Sequence, residues 1–364
     1  MRKIFILGGS DLQLDLILEA KKMFFYTYVL DINKHCIGAQ WCDEFLAIDI
    51  ADQEQVLAQA RALNIDAILT SATEIGNLTA CWVGERLGLY SNSYETAVNT
   101  SNKKRMKAHF LKHGIPSADY QIIDQVDKLK WAHYPCIVKP YDSSAGRGLS
   151  YLDNATQLPL AFSKALHYSR QNQVIIEHYI PGKQYSVETI SCAGKHQIIT
   201  INEEFIRAVP DIIETAHHIP ANCTQSLQEK IATLTTNILN AFNIQYGACH
   251  IELKVTANHD IYVIELASRT GGMRSEMINL AFGISYSQLL LLSALNCLDK
   301  VNKSRHQQVQ CYFITDYNSY QEYQKTRQDT SKMLFEPVNI PAVDKHFSAD
   351  NLIESKGYYY LLTT

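Results

Sequence analysis

The stretch Gly247–Gly272, GACHIELKVTANHDIYVIELASRTGG, holds a dense group of residues able to do chemistry. Two runs of alternating character, Cys249–Val255 and Ile261–Leu266, flank the turn-forming Ala257-Asn258-His259-Asp260, which predicts a β-hairpin. Successive strand residues point to opposite faces, so His250, Glu252 and Lys254 share one face and Ile251, Leu253 and Val255 the other. On the return strand Ile261, Val263 and Glu265 are expected to share a face. An even-length turn centred between Asn258 and His259 sets Glu252 directly across from Glu265. Cross-strand Cβ atoms lie about 5 Å apart, and like charges placed there repel. A cation between them resolves the conflict, and Mg²⁺, an oxygen-seeking ion commonly held by one or two carboxylates plus nucleotide phosphates, suits the pair. Arg269 follows at the strand end, with Thr270-Gly271-Gly272 allowing backbone to approach a ligand. A surface hairpin with two solvated glutamates and an exposed arginine is the alternative these residues leave open.

Other groups narrow the chemistry by exclusion. The chain has 364 residues, 46% of them hydrophobic, enough for two or three domains with their own cores. A net charge of −4 without a basic stripe argues against nucleic-acid and membrane-surface partners. Ile4–Leu7 is too short for a signal peptide and reads as a buried strand; Leu289–Leu292, within Ser287–Leu298, reads as core helix and not as a membrane span. Nine cysteines with no C-x-x-C spacing suit reduced thiols in a cytoplasmic protein. His217-His218 lacks a second ligand cluster at metal spacing, so solvated or substrate-lining histidines are expected there.

The elements that must position the hairpin begin with alternating strands and helices: strand Lys3–Leu7, helix Leu12–Lys22, strand Tyr26–Leu30, strand Glu44–Ile48, helix Gln53–Leu63, strand Ala67–Thr70 and helix Ile75–Leu87. That order predicts an α/β domain with a parallel sheet. Its first turn, Gly8-Gly9-Ser10-Asp11-Leu12-Gln13, lacks G-x-G-x-x-G, which argues against a dinucleotide-binding dehydrogenase. Thr73-Glu74 is expected to reach a shared cleft. Asn102 is a plausible N-cap for a helix running to His113, placing Lys103 in the first turn, against the helix dipole. A short strand delivers Lys139, and the small residues Ser143–Gly148 either cradle an anion with free backbone N–H groups or form a plain hairpin loop. The loop is not a Walker A sequence. Helices over Ala155–Arg170, Ser226–Phe242 and most of Glu276–Leu298, and strands over Val174–Glu177, Lys183–Ser191, Gln310–Ile314 and Tyr358–Leu362, complete the reading.

The order and spacing of these pieces resembles the ATP-grasp superfamily, in its carboxylate–amine, L-amino acid ligase-like branch, over roughly residues 1 to 300. The resemblance is carried by Asn102-Lys103, by Val138-Lys139-Pro140 with the glycine loop, and by Glu177-His178-Tyr179-Ile180 with Gly182–Glu188. His250-Ile251-Glu252 and Glu265–Gly272 complete it. It implies an ATP-grasp fold: a Rossmann-like pre-ATP-grasp domain (1–100), an α+β lid (101–182), a metal and catalytic subdomain (183–300) and a C-terminal α+β segment (301–364). It further implies that Lys103 and Lys139 hold the α- and β-phosphates. Ser144, Gly146, Arg147 and Gly148 would close over the γ-phosphate. Glu177, Tyr179 and Ile180 would read adenine, and Gln184 the ribose. Glu252 and Glu265 would coordinate Mg²⁺ or Mn²⁺, Arg269 would hold the transferring phosphoryl group or substrate carboxylate, and Arg274 would be a second carboxylate clamp.

The implied activity is an ATP-dependent, ADP-forming ligation of a small carboxylate to an amine through an acyl phosphate, with amino-acid-like substrates and, as the assembly, a homodimer. Glu74, Glu214 and His217 fall in segments that could line the acceptor site, with solvated loop residues as the alternative. Two positions depart from the family pattern: Gln184 stands in place of a ribose-binding acid, and Ala267 in place of an asparagine metal ligand. The second departure puts a second metal site in question. A purine-pathway or carbamoyl-phosphate-synthase-like enzyme, and a nucleotide-binding regulatory protein without turnover, are the other readings.

Overall fold

Apolar runs alternating with helical spacing at the N-terminus fold as the sequence pattern requires. In the computed structural model, which describes residues 1–142, 146–329 and 331–363, β1 (Lys3–Leu7), β2 (Tyr26–Leu30), β3 (Glu44–Leu46) and β4 (Ala67–Leu69) form a parallel sheet in the order β3-β2-β1-β4. Every β1 residue from Ile4 to Leu7 is fully buried, as a parallel strand covered on both faces must be. The helix Glu74–Leu87 follows β4 and aims its first turn at the domain boundary.

A second, antiparallel sheet comprises β5 (Tyr120–Ile123), β6 (Cys136–Pro140), β7 (Ser150–Leu152) and β8 (Val174–His178), in the order β5-β8-β6-β7. It has its own core with the helix Leu158–His167, which is shorter than the predicted Ala155–Arg170 because a 3-10 turn over Ala155–Gln157 precedes it. The third and largest sheet contains β9 (Lys183–Cys192), β10 (Lys195–Ile206), β11 (Glu214–Ile219), β12 (Gly247–Val255), β13 (Ile261–Ala267), β14 (Gln308–Phe313), β15 (Met333–Phe335) and β16 (Tyr358–Thr363). Their order is β13-β12-β9-β10-β11-β14-β16-β15. The C-terminal segment therefore extends the sheet that carries the hairpin.

The predicted hairpin is β12–β13, and Glu252 pairs with Glu265. The route to that register differs from the expectation. Val255 pairs with Ile261, leaving an odd-length connection with His259 at φ +62°, and an irregularity past Glu252 then restores the Glu252–Glu265 pairing. The extra residue is Ile264, between Val263 and Glu265. Such a bulge reverses the alternation, so Val263 does not share a face with Glu265: it joins Ile251, Leu253 and Val255 in the core against the helix Gln225–Ala241. Each of these fully buried aliphatic side chains contributes about 1.5–3 kcal/mol, which fixes the opposite, polar face by default.

The predicted helix Glu276–Leu298 is two helices, Arg274–Phe282 and Tyr286–Ala294, broken at Gly283 (φ +67°) and bent by 109°. Both pack into one cluster with β1, the helix Asp11–Lys22 and β14. Among the described residues no single helix is long and apolar enough to cross a membrane.

Gly182 joins the second sheet to the third. It sits at φ +147°, and a Cβ there would lie 2.2 Å from the Val255 carbonyl oxygen. Both the conformation and the close approach require glycine. Gly182→Ala is expected to lower the urea unfolding free energy by about 2 kcal/mol or more; an unchanged midpoint would contradict this.

Candidate active site

The polar face of the hairpin opens into two joined cavities. The first, about 410 Å³, is a mostly apolar slot between the second and third sheets, walled by Ile137, Tyr179, Ile180, Ile206, Tyr262 and Ile264, with Lys107, Lys139 and Glu177 at one end. A planar base fits such a slot, where apolar walls supply contact area and a few polar groups fix orientation. The second, about 230 Å³, shares Lys139, Gln184 and Ile264 with the first and adds Lys103, Gly146, Arg147, Glu214, Glu252, Glu265 and Arg269. Gly148 stands at φ +71°, packed so closely that a Cβ would meet the Pro140 and Tyr168 rings. Ser144 lies outside the described residues.

The like charges on Glu252 and Glu265 are met from two sides. Lys103 Nζ lies 3.4 Å from Glu265 Oε2, and His250 Nε2 lies 3.3 Å from Glu252 Oε1. Asn102 caps the helix Lys103–Lys112 as expected, its side chain accepting the Arg105 N–H, and this places Lys103 at the carboxylates. Lys103, with Lys139 and Arg269, holds the Glu265 carboxyl down at about 2 against burial. Burial raises Glu252 despite His250. The donors are all carboxylate oxygens converging on a cavity that Lys103 and Lys139 also line, which suits a hard divalent cation such as Mg²⁺. Ala267, which stands in place of the family pattern's asparagine, is buried opposite His250.

The ATP-grasp domain family matches residues 132–277. Those residues form an ATP-grasp domain. An L-arginine-specific L-amino acid ligase of Bacillus subtilis is 25% identical over 277 residues, covering 70% of this chain and 65% of that protein. A formate-dependent phosphoribosylglycinamide formyltransferase of Sulfurisphaera tokodaii is 22% identical over 276 residues, covering 72% of this chain and 68% of the relative. The chain thus spans about two thirds of the length of these curated relatives. The crystal structure of an L-amino acid ligase from Bacillus licheniformis shares the fold across 100% of this chain and 92% of that one, with a TM-score of 0.79 at 20% identity.

Within the ATP-grasp domain, several residues differ from their expected roles. Glu177 is buried, and its carboxylate is taken up by two ion pairs, with Lys139 and, at 2.7 Å, with Lys107. The Lys107 contact is an ion pair by distance without well-directed hydrogen-bond geometry. With the Glu177 carboxylate so engaged, the segment Tyr179-Ile180 lines the slot beside it. Lys107 was missed by sequence reading, although it lies four residues after Lys103 on one helix face, a spacing that brings side chains together. Gln184 donates to Glu204 at 2.8 Å, leaving its carbonyl oxygen for a ligand in the slot.

Arg274 is not an open carboxylate clamp. Only 2% exposed, its guanidinium lies 2.6 Å from Glu204 Oε1, 3.3 Å from Glu188 Oε1, 2.6 Å from His217 Nδ1 and 3.2 Å from Ser186 Oγ. Arginine only donates, so His217 Nδ1 accepts and its Nε2–H donates to Glu214 at 2.9 Å. Burial and Arg274 keep His217 neutral, well below its usual pKa. His217 and Glu214 are therefore strand residues on β11, His217 buried and neither in a solvated loop. Glu204, Glu214 and His217 also lie within 4.8 Å of one another, a cluster the sequence did not reveal, but Arg274 already supplies its positive charge. Gly271 is small for the same network: a Cβ would strike Glu188, His250 and Arg274, whereas a Cβ on Gly272 would meet open space. His250 donates to Glu188 at 2.5 Å, and Glu188, with Glu252, raises its pKa to about 10 against burial.

Arg269 reaches back to the N-terminal domain, Nε 2.8 Å from Glu74 Oε1 and Nη1 2.8 Å from the Thr270 carbonyl. The Glu74 contact also lacks ideal hydrogen-bond direction. Ser268 and Thr270 bracket Arg269 and bind the same domain: Ser268 Oγ accepts from Asn77 at 2.8 Å and lies 2.6 Å from Thr100 Oγ1, and Thr270 Oγ1 accepts the Ala72 N–H at 3.1 Å. The cleft is built by three parts of the chain at once.

Burial would raise Glu177, but Lys107 and Lys139 outweigh it and hold the carboxyl at about 2, below its ordinary 4.5. A lowered folded-state pKa stabilises above the ordinary value, and that stability is lost as pH falls from about 4.5 toward 2. The stability lost in Glu177→Gln, measured by urea unfolding, is therefore expected to be larger at about pH 7 than at about pH 3; a deficit independent of pH would contradict the pairing.

Proposed function

We propose that the chain is an ATP-dependent, ADP-forming ligase that joins a small, amino-acid-like carboxylate to an amine through an acyl phosphate. The observation that supports this most is the continuity of the cleft: a base-sized apolar slot leads past Lys139 and Lys103 to the opposed Glu252 and Glu265, with Arg269 beyond. The curated relatives, which include amino acid ligases, favour the same class.

A carboxylate does not react with an amine in water because its oxygen is a poor leaving group. Transfer of the γ-phosphoryl group to that oxygen breaks the bond to ADP and makes phosphate the leaving group. Such transfer needs mostly positioning and neutralisation of charge. In this site Tyr179-Ile180 and the slot orient the base, Lys139 and Lys103 take the charge of the phosphates, and Gly146, Arg147 and Gly148 cover the far end. Glu252 and Glu265 would hold Mg²⁺ or Mn²⁺, which would neutralise charge on the phosphate oxygens. Arg269 would receive the substrate carboxylate and stabilise the oxyanion formed when the amine attacks. The carboxyl group of Glu214, which lines the second cavity, suits an incoming ammonium group, while Glu74 holds Arg269 from the N-terminal domain. The second sheet and the Gly146–Gly148 turn exclude water that would hydrolyse the acyl phosphate. The free cysteines accord with a reducing cytoplasm, and a homodimer is the assembly proposed.

A second reading, nucleotide binding without ligation, draws on Gln184, whose amide is spent on Glu204, and on Ala267. A purine-pathway substrate is a third, in line with the formyltransferase relative. ADP release that requires both a carboxylate and an amine separates the first reading from the second, and omitting phosphoribosyl substrates separates it from the third.

Glu265→Gln is expected to lower turnover by about a hundredfold or more with the fold intact, read by ADP release and circular dichroism; near-normal turnover would sink the metal role. Lys139→Ala is expected to weaken ATP binding by about tenfold or more in calorimetric titration, and unchanged affinity would refute its phosphate contact.

A further inference from the structure

The second sheet must be held at one distance from the third, because the lysines proposed for the phosphates stand on different bodies. Lys103 opens the helix Lys103–Lys112, which packs on β13 through Met106, whose sulfur accepts the Leu266 N–H. Lys139 stands on β6 of the second sheet. Asn102, immediately before Lys103, is the N-cap, its Oδ1 accepting the Arg105 N–H at 3.0 Å. The same oxygen accepts a second hydrogen bond, from the Tyr141 hydroxyl at 2.5 Å. Tyr141 lies two residues past Lys139, and only 4% of it is exposed. An amide oxygen has two acceptor positions, so the two bonds coexist. One atom thus links the residue before the first lysine to the strand that delivers the second. Farther along the same helix, Lys107 meets Glu177 of β8, a second tie between these bodies.

We propose that Tyr141 is a positioning residue: through Asn102 its hydroxyl holds the β6 end against the helix start and so sets the spacing of Lys103 and Lys139 on a bound triphosphate. This inference rests on the nucleotide reading given above. The tyrosine ring fills space that a phenylalanine ring also fills, so the hydroxyl can be removed alone. Among the slot's apolar walls only Ile137 stands on β6; Ile206 and Tyr262 belong to the third sheet, and Tyr179 follows β8, which the Lys107–Glu177 pair holds to the helix without that hydroxyl.

The test is calorimetric titration of the full chain and of Tyr141→Phe with ATP and, separately, with adenosine, which lacks the phosphates. ATP affinity is expected to fall about tenfold on loss of the single hydrogen bond, while adenosine affinity stays within about twofold. Asn102→Ser, which keeps an N-cap hydroxyl, is expected to show the same selective loss. The double variant should lose no more than either alone, because the two changes remove one interaction. Unchanged ATP affinity in Tyr141→Phe, or equal losses for ATP and adenosine, would overturn the positioning role. A wild-type chain that binds adenosine no better than it binds a sugar phosphate, and does not bind ATP, would instead overturn the nucleotide reading and this inference with it.

Discussion

Glu252 and Glu265 face each other across an antiparallel pair, at a spacing where two carboxylates repel. Folding imposes the arrangement: Ile251, Leu253, Val255 and Val263 must be buried against the helix Gln225–Ala241, so alternation turns Glu252 to the cleft and the Ile264 bulge turns Glu265 there. The opposition is tolerable only because cations are brought to it from elsewhere. Lys103 comes from the helix that follows the N-terminal domain, His250 from the same strand, and Lys139 from the second sheet. Placing Glu252 and Glu265 at one point therefore requires several segments to assemble around it, and the cleft results from that assembly.

The same logic recurs one layer out. Arg274 is buried among Glu188, Glu204 and His217, and removing either sign of charge there would leave the other uncompensated in a low-dielectric interior. Glu188 also orients His250, which in turn contacts Glu252. The outer network is thus a support for the inner pair; Arg274, Glu188 and His217 line neither cavity, and Glu204 borders the first. Ser268 and Thr270 perform the corresponding task on the other side, fixing the backbone around Arg269 to the N-terminal domain through Asn77, Thr100 and Ala72.

Local patterns carried much of this into the sequence. The β1 and β2 bounds, the helix Gln53–Leu63, the Asn102 cap and the opposition of Glu252 to Glu265 were legible because each depends on periodicity or on neighbours a few residues away. The Glu252–Glu265 register was reached with a turn of the wrong length, which the unforeseen bulge corrected. What was not legible depends on partners distant in sequence. The role of Arg274 is set by Glu188, Glu204 and His217, none of which lies near it in the chain. β10 and β11 alternate polar and apolar residues weakly because their polar side chains are buried in that network, so Glu214 and His217 resembled loop residues. In the tyrosine-rich C-terminal segment the strands at β14 and β16 were legible but their partners were not: β14 joins β11, β16 joins β14, and β15 forms the edge.

Ligation through an acyl phosphate makes one substrate carboxylate oxygen an oxygen of the released phosphate. The direct measurement supplies purified protein with ATP, Mg²⁺ and pooled amino acids carrying oxygen-18 in their carboxyl groups, then weighs the inorganic phosphate and the condensed products by mass spectrometry. Phosphate that gains one heavy oxygen, together with a product mass equal to two substrates less one water, is the expected result. Unlabelled phosphate released with ADP would show that water, and not a carboxylate, accepts the phosphoryl group, and would contradict the account.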